Sequence, residues 1–136
     1  MTSAVPAGFT NIDPDDPFEN FAGPLYQKDG SDGLVYGFCV RSEHCNAGDI
    51  CHGGMLMTFA DYAMCSAAIH GHNANPITIT MNSEFMAPVQ EGDRVLARCE
   101  IQRRTSSMVF CRADLVVGEQ AVAAFTGVIK RLKPRN

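Results

Sequence analysis

The sequence predicts an α+β fold in which an antiparallel sheet wraps around one central helix. Residues 52–70 form a single apolar stretch of helix length, and several segments after it alternate apolar and polar residues with a period of two, as strands do. The 136 residues suffice for one compact domain with one core. We therefore expect an N-terminal arm over residues 1–32 and a domain over residues 33–132.

The chain before the helix divides into the arm and a strand. Residues 1–32 are rich in Pro, Gly, Asp and Asn, with aromatic side chains such as Phe9 and Phe21 among them, which indicates an extended or partly helical arm held by aromatic contacts. The arm is predicted to be a lid or a wrapping segment. Residues 33–40 (GLVYGFCV) form a short apolar and aromatic run that is typical of a buried strand.

The helix prediction over residues 52–70 rests on apolar residues at intervals of three and four. Gly71 follows the last of them and is a natural C-terminal stop. The segment is apolar almost all round and rich in Ala, so we expect other structure to enclose it. The residues that set the period are Leu56, Phe59, Ala60, Ala63 and Ala67.

The strand predictions after the helix rest on alternation. Apolar residues alternate with polar or outward-facing ones over residues 77–82, 95–102 and 109–116, and residues 120–130 form the last segment. Turn residues separate these segments, so they are interpreted as an antiparallel meander of four strands.

Composition excludes several classes of function. The net charge of −4 and the pI of about 5.4 leave no basic excess for phosphate backbones, so we expect no nucleic-acid partner. No apolar run approaches the ~20 residues that span a bilayer, and residues 1–11 lack the basic and apolar regions of a signal peptide. We expect a cytoplasmic protein with no membrane partner.

The six cysteines have no spacing typical of a disulfide framework or a zinc site. A metal site built from His44, Cys45, Cys51 and His52 is disfavoured because no C-x-x-C or H-E-x-x-H spacing is present. We expect free thiols and no bound metal.

Asp61 is the only formally charged residue between Asp49 and Glu84, and it lies in the middle of the predicted apolar helix. An unpaired carboxylate there costs several kcal/mol or is driven toward its neutral form. Two interpretations stay open. Asp61 is either a structural acid that accepts hydrogen bonds from Ser66, Thr58 or a backbone amide, or a catalytic base or nucleophile whose pKa is raised by desolvation.

Two glycines open the helix. Because Gly53 and Gly54 have no side chains, the first free backbone N–H groups can approach a ligand closely, and the helix dipole favours a developing negative charge there. Such a terminus can act as an oxyanion hole. The alternative is a loop-to-helix junction that needs only glycine's flexibility.

The spacing of these residues resembles a known family. Asn46 lies six residues before His52 and Asp61 nine after it, in NAGDICHGGMLMTFAD; TITMNSEFMAP, the EGD turn and AVAAFTGVIK follow in the same order as in that family. Over residues 33–132 the chain resembles the phenylacetyl-CoA thioesterase-like branch of the hotdog-fold acyl-CoA thioesterases, part of the 4-hydroxybenzoyl-CoA thioesterase superfamily. The resemblance implies a single hotdog domain that hydrolyses acyl-CoA esters.

The resemblance also implies roles for individual residues. The Gly53 amide would polarise the thioester carbonyl, while Asn46 and His52 would orient the thioester or the hydrolytic water. Asp61 would activate that water as general base or attack as nucleophile, and Thr78 would help to place the water. No cofactor is implied, because CoA is part of the substrate. The resemblance further implies homodimers, which often pair into tetramers.

Helix geometry gives an independent reason to expect a dimer. Asp61 lies eight residues beyond Gly53, a rise of ~12 Å on a continuous helix, which is too far for both to contact one thioester carbonyl. The two groups must therefore come from different subunits, with two equivalent sites at the interface.

The CoA moiety is expected to bind at a basic hairpin. Its location matches the place where similar thioesterases hold the nucleotide and pantetheine, and Gly54 and Phe85 would contact the substrate near the helix. The alternatives are solvated surface positions for the charged residues and core packing for Phe85. The hairpin residues and the nearby lysine are Arg103, Arg104, Ser106, Ser107 and Lys130.

The acyl group stays undetermined. Flexible methionines on the helix, with the arm and the partner chain, are expected to line its pocket, so aryl, aryl-acetyl and medium-chain groups all remain open. Two alternatives share the fold: a hydratase or dehydratase of acyl thioesters, and a non-catalytic acyl-CoA-binding regulator. The expected lining residues are Met55, Met57, Phe59 and Met64.

Overall fold

Over residues 5–30 and 33–134, which the computed structural model describes, one antiparallel sheet of seven strands packs against one long helix. This arrangement confirms the predicted α+β fold. The elements in chain order are β1 (Thr10–Asn11), α1 (Pro17–Ala22), β2 (Tyr26–Gly30), β3 (Gly33–Cys39), a 3₁₀ turn (Ser42–His44), α2 (Gly53–Ile69), β4 (Asn75–Phe85), β5 (Arg94–Arg104), β6 (Met108–Val117) and β7 (Gln120–Leu132).

The ends of α2 lie where the sequence predicted them. His52 is the N-cap, and its Nδ1 accepts a hydrogen bond from the Gly54 amide. After Ile69 the chain turns away at Gly71, whose φ of +77° is accessible to glycine at little cost.

The sheet covers only one face of α2. That face is fully buried and supplies much of the core through Met55, Leu56, Phe59, Ala60, Ala63, Met64 and Ala68. On the opposite face Met57 is 39% exposed and Asp61 is half-buried. The expectation that other structure encloses the helix is therefore wrong for a single chain.

The strand order is β1-β2-β3-β5-β6-β7-β4. Strands β5, β6 and β7 form the predicted meander, but β4 pairs with β7 instead of its sequence neighbour β5, so the four-strand meander was wrong at its first strand. The segment between β4 and β5 explains the difference. Its Val89 carbonyl accepts from the Cys51 amide at 2.6 Å and its Gly92 amide donates to Val40 at 2.8 Å, which delivers β5 to the edge of β3.

The arm contributes to the sheet and flanks α2. Strand β2 pairs with β3 along its whole length, and Gly37 is required there because a Cβ would lie 2.3 Å from the Tyr26 ring. Helix α1 is tied down at both ends, by a 2.5 Å hydrogen bond from His44 Nε2 to the Ala22 carbonyl and by the Tyr62 hydroxyl on Asp16. The predicted boundary at residue 32 and the first four residues of the arm lie outside the described residues.

No helix in the described part of the chain is long and apolar enough to cross a membrane.

Candidate active site

Asp61 lies in a small polar cluster on the open side of α2. Its Oδ1 accepts a short hydrogen bond from the Thr78 hydroxyl of β4 and a weaker one from the Cys65 thiol at 3.7 Å. Cys65 and Thr78 also contact each other at 3.2 Å. Burial raises the pKa of Cys65 to about 12, so its thiol stays protonated and able to donate. The structure thus brings Asp61 and Thr78 together.

If Asp61 were a purely structural acid, its hydrogen bonds were expected to come from Ser66, Thr58 or a backbone amide, and the two side chains have other partners. The Thr58 hydroxyl instead donates to the Gly54 carbonyl at 3.0 Å, and the Ser66 hydroxyl donates to Gln27 at 3.3 Å. Asp61 Oδ2 has no hydrogen-bond partner within residues 5–30 and 33–134. One carboxylate oxygen is therefore held in place, while the other is available to a water or a substrate.

The N-terminus of α2 presents one unpaired amide. The Gly54 amide is capped by His52 Nδ1 at 3.2 Å, whereas the Gly53 amide has no acceptor among the described residues. The accepting Nδ1 leaves the proton of a neutral His52 ring on Nε2, which is free to donate. The amide available to an oxyanion is therefore that of Gly53.

Asn46 organises the loop before α2. Its Oδ1 accepts from the Gly48 amide at 2.9 Å and from the Ile50 amide at 3.2 Å. These bonds fix the carboxamide and leave its NH₂ group as the part that can donate to a ligand.

Gly53 and Asp61 face separate cavities of the same chain. Asp61 lines a cavity of about 490 Å³ together with Tyr62 and part of the arm. Gly53 lines one of about 410 Å³ with Asn46 and Phe85. Among the described residues none lines both cavities. The arrangement agrees with the geometric argument that one chain does not bring the two groups to one carbonyl.

The other residues expected to contact the substrate line two different cavities. Phe85 is 51% exposed and its ring lies against Gly53, where an added Cβ would be 3.3 Å from Cζ. Gly54 and His52 line a third cavity, of about 680 Å³, beside Phe18 and Phe21 of α1.

The four residues expected to line the acyl pocket are divided in a single chain. Met57 is exposed, Met55 is buried but lines the third cavity, and Phe59 and Met64 lie in the core. The cavity beside Asp61 is instead lined by the arm and by the second half of α2.

The two hairpin arginines do not act alike. Arg104 Nη1 donates to the Ala68 carbonyl at 2.8 Å, a hydrogen bond that brings positive charge to the C-terminal end of α2. Arg103 precedes it on β5 and so points to the opposite face of the sheet, where its register partner is Phe110. Only one of the pair can face a given ligand.

The rest of the hairpin is held by Arg131. Its guanidinium donates to the Thr105 carbonyl at 2.8 Å and the Ser106 carbonyl at 3.4 Å, and its amide donates to the Ser107 carbonyl at 2.7 Å. Ser106 and Lys130 are exposed and free to contact a ligand.

All six cysteines are free thiols in the structure. In the described part of the chain no three His, Cys, Asp or Glu side chains are grouped so as to hold a metal ion.

Sequence reasoning missed two neighbours of Asp61. Cys65 is four residues further along α2, and that spacing alone places two side chains on one helix face. Glu19 of the arm lines the same cavity and is buried. Its position after Asp16 matches a helix-capping signature, D-x-x-E, which signals α1 but not the burial of its glutamate.

Comparison with known proteins identifies the family. The family model described as thioesterase superfamily matches residues 48–124. A relative from Pseudomonas aeruginosa, assigned provisionally as an esterase, is 30% identical over 127 residues, covering 91% of this chain and 95% of the relative.

Solved structures agree. A variant of the phenylacetic acid degradation protein PaaI from Thermus thermophilus superposes with a TM-score of 0.76 at 28% identity, covering 86% of this chain and 100% of that one. The PaaI protein from the phenylacetic acid degradation operon of Escherichia coli gives a TM-score of 0.78 at 20% identity, with coverage of 87% and 86%. The resemblance seen in the sequence is thereby confirmed.

Proposed function

The chain belongs to the thioesterase superfamily, and we propose that it hydrolyses acyl-CoA thioesters at a site shared between two subunits. One observation carries this proposal. The unpaired Gly53 amide, at the start of the 17-residue helix α2, and the Asp61 carboxylate, which has one oxygen without a partner, line different cavities of the same chain. A second copy supplies the missing half of each site.

The chemistry needs two groups on opposite sides of the thioester carbonyl. The Gly53 amide, aided by the helix dipole, stabilises the oxyanion that forms as the carbonyl carbon becomes tetrahedral. Asp61 Oδ2 from the other subunit either takes the proton of an attacking water or attacks the carbon itself to form an anhydride that water then hydrolyses. Collapse breaks the C–S bond. In the general-base path the proton that Asp61 took from water passes to the departing CoA sulfur, whereas in the nucleophilic path CoA leaves as a thiolate and the later attack of water on the anhydride restores the Asp61 carboxylate. Thr78 and Cys65 hold Asp61 in position.

Two features of the described surface suit pairing of two copies. Strand β4 lies at the end of the sheet with its outer edge unpaired, and its exposed apolar side chains include Ile77, Ile79 and Phe85. The second feature is the face of α2 that the sheet leaves uncovered, which carries the exposed Met57. A long unpaired edge with apolar residues is a surface that natural proteins normally cover.

We expect the protein to sediment as a dimer or larger, at no less than twice the 14.7 kDa of one chain. Analytical ultracentrifugation over a dilution series, with hydrolysis measured at each concentration, tests this. A monomer with full activity would overturn the shared site. Loss of activity in parallel with dissociation would support it.

The activity itself is tested with a panel of aryl, aryl-acetyl and medium-chain acyl-CoA esters, with free thiol release as the measurement. Failure to hydrolyse any of them, by a protein that is folded and dimeric, would contradict the proposed function. Turnover by the same protein of an enoyl-CoA to its hydrated product would favour the hydratase alternative.

The structure sharpens the prediction for CoA recognition at the hairpin. Replacing Arg103 by Ala should raise KM for acyl-CoA by roughly tenfold to a hundredfold with kcat little changed, because a guanidinium–phosphate contact of ~1.5–3 kcal/mol acts equally in ground and transition states. The matching acyl-pantetheine, which lacks the nucleotide, should be unaffected.

Replacing Arg104 by Ala is the matched comparison. It removes the cap on α2 and should lower the free energy of unfolding by about 1 kcal/mol, with equal effects on both substrates. If Arg103→Ala also penalises both substrates equally, Arg103 serves structure. If it penalises neither, Arg103 is a solvated surface residue.

A further inference from the structure

Cys45 and Cys51 lie opposite each other at the two ends of the loop before α2, which we call the Asn46 loop (residues 45–51). The two cysteines form an isolated antiparallel bridge. Their neighbours make the backbone hydrogen bonds of this bridge, so the cysteines are a non-hydrogen-bonded pair, whose side chains share one face and lie close together. These bonds, each 2.8 Å long, run from the Asn46 amide to the Ile50 carbonyl and from the His52 amide to the His44 carbonyl.

The geometry of this pair suits a disulfide. Opposite residues of a non-hydrogen-bonded pair have Cα atoms about 4.5 Å apart, within the ~4.4–6.8 Å that a disulfide spans. A second pair of cysteines on neighbouring strands, Cys99 and Cys111, is diagonal, because Cys99 lies opposite Ala113. Diagonal residues are ~7–8 Å apart, which is beyond the reach of a disulfide without movement of the backbone.

The two thiols differ in access to a reagent. Cys45 is partly exposed and lines the cavity of about 680 Å³ beside α1, whereas Cys51 is buried. Burial raises the pKa of both thiols, that of Cys51 to about 12. Both are therefore protonated near neutral pH, where the resting state is the dithiol. An oxidant reaches Cys45 first, and Cys51 lies beside it to complete the reaction.

We propose that Cys45 and Cys51 are a redox modification site, where a reversible disulfide closes the Asn46 loop and leaves both halves of the catalytic site in place. The oxidant is a low-molecular-weight disulfide. The Cys45 thiolate attacks one of its sulfurs and releases a thiolate, and the Cys51 sulfur then attacks the Cys45 sulfur of the mixed disulfide and releases the second. The two protein thiols lose two electrons and two protons, and the oxidant becomes two thiols. An excess of a small thiol reverses both steps.

The bond would lock a segment that joins two parts of the candidate site. Asn46 follows Cys45 directly, and His52 and Gly53 follow Cys51. A cross-link between the ends of the Asn46 loop keeps the bridge from opening, so it raises the local stability of the loop. The inference goes beyond the proposed function and does not rest on it, since it concerns the covalent state of the loop.

Peptide mapping tests the bond directly. The folded protein is incubated with oxidised glutathione at about pH 8.5, where more of the Cys45 thiolate is present, and the remaining thiols are then alkylated in denaturant before digestion. Mass spectrometry should find Cys45 joined to Cys51, two hydrogens lost from the chain, and full reversal by reduced dithiothreitol. A lasting glutathione adduct on Cys45, a Cys99–Cys111 bond, or no disulfide at all would overturn the proposal.

Hydrogen exchange measures the lock. In the oxidised protein the Asn46 and His52 amides, which donate across the bridge, should exchange at least about tenfold more slowly than in the reduced protein. The midpoint of thermal unfolding should rise by roughly 5–10 °C, as for a cross-link that closes a short loop. Unchanged or faster exchange of both amides on oxidation would reject the lock.

Cys45→Ser assigns these effects to the pair. Serine is close to cysteine in size, and the variant should show no disulfide at Cys51 and no change in exchange or unfolding on oxidation. Cys39→Ser is the matched control, because Cys39 is also partly exposed but lies opposite Arg94, and it should behave as the wild type does. Shifts that persist in Cys45→Ser would contradict the assignment. If that variant fails to fold, the wild-type peptide map still decides.

Hydrolysis by the oxidised and reduced proteins shows whether the disulfide fits the native loop. It is followed by the loss of thioester absorbance, so that no thiol reagent is present. We expect kcat to stay within about twofold, because a bond that fits the bridge moves neither Asn46 nor Gly53, and only misplaced groups cost rate. A reversible loss of more than about tenfold would overturn this fit. If neither form hydrolyses any acyl-CoA ester, the proposed function fails while the peptide map and the exchange rates still test the disulfide.

Discussion

Asp61→Asn should leave a folded oligomer that hydrolyses acyl-CoA esters at least ~10²-fold more slowly, the usual scale for losing a general base. Asparagine has the size of aspartate, and its carbonyl oxygen can accept the Thr78 hydrogen bond that Asp61 accepts now. It can neither take a proton from water nor attack a thioester carbonyl. The loss should therefore appear in kcat, measured under saturating substrate by thiol release.

The control for this substitution is Asp29→Asn. Asp29 lies on β2 with its side chain exposed, so the same loss of charge there should leave hydrolysis unchanged. Circular dichroism and sedimentation of each variant establish that the fold and the oligomer persist. Near-normal hydrolysis by purified Asp61→Asn or Asp61→Ala would remove Asp61 from the mechanism under either of its roles.

Local periodicity explains why the elements were predictable from the sequence. The three- and four-residue spacing from Leu56 to Ala67 and the Gly71 stop located α2, because these signals act within a few residues of each other. The partner of β4 was not predictable in this way. Alternation in β4 shows which side chains share a face, but its pairing with β7 depends on contacts of residues 86–93 with Cys51 and Val40, which are distant in sequence.

The same distinction between local patterns and distant contacts explains which residues of the candidate site were predictable from the sequence. Asp61 stood out as a lone charge in an apolar segment. The resemblance singled out Thr78 as a residue that would help to place the water, and in the structure its hydroxyl donates to Asp61. Cys65 had no such signal, because a cysteine on a buried helix usually packs as a small apolar residue. From the sequence, Glu19 can be recognised only as part of the helix-capping pattern that begins at Asp16. Its burial follows from the anchoring of α1 by Tyr62 and His44, which no local pattern encodes.

Gly53→Pro is expected to lower turnover by roughly 10²–10³-fold, the range for loss of one oxyanion donor. Proline is tolerated at the first residue of a helix, where its missing N–H costs no hydrogen bond within the helix. The preceding residue, His52, already has the extended backbone that proline requires, with φ −61° and ψ 136°. The substitution therefore removes the unpaired amide and leaves α2 in place.

Gly53→Ala separates the amide from the space around it. Alanine keeps the N–H and introduces the same Cβ, which meets the Phe85 ring at 3.3 Å. That ring is the end of an exposed side chain and can move, so we expect a much smaller loss than with proline. Equal losses in the two variants would mean that crowding at Phe85 accounts for the effect, and the oxyanion role of Gly53 would be withdrawn.

Mixing the two inactive variants tests whether the site is shared. In a dimer of one Asp61→Ala chain and one Gly53→Pro chain, one site receives both defects and the other receives an intact Asp61 and an intact Gly53 from opposite chains. Random re-association after joint unfolding and refolding makes half of the dimers mixed, so the mixture should recover about a quarter of wild-type activity. Each variant refolded alone should remain inactive. If both groups act within one chain, every site in every dimer stays defective, and the mixture recovers nothing.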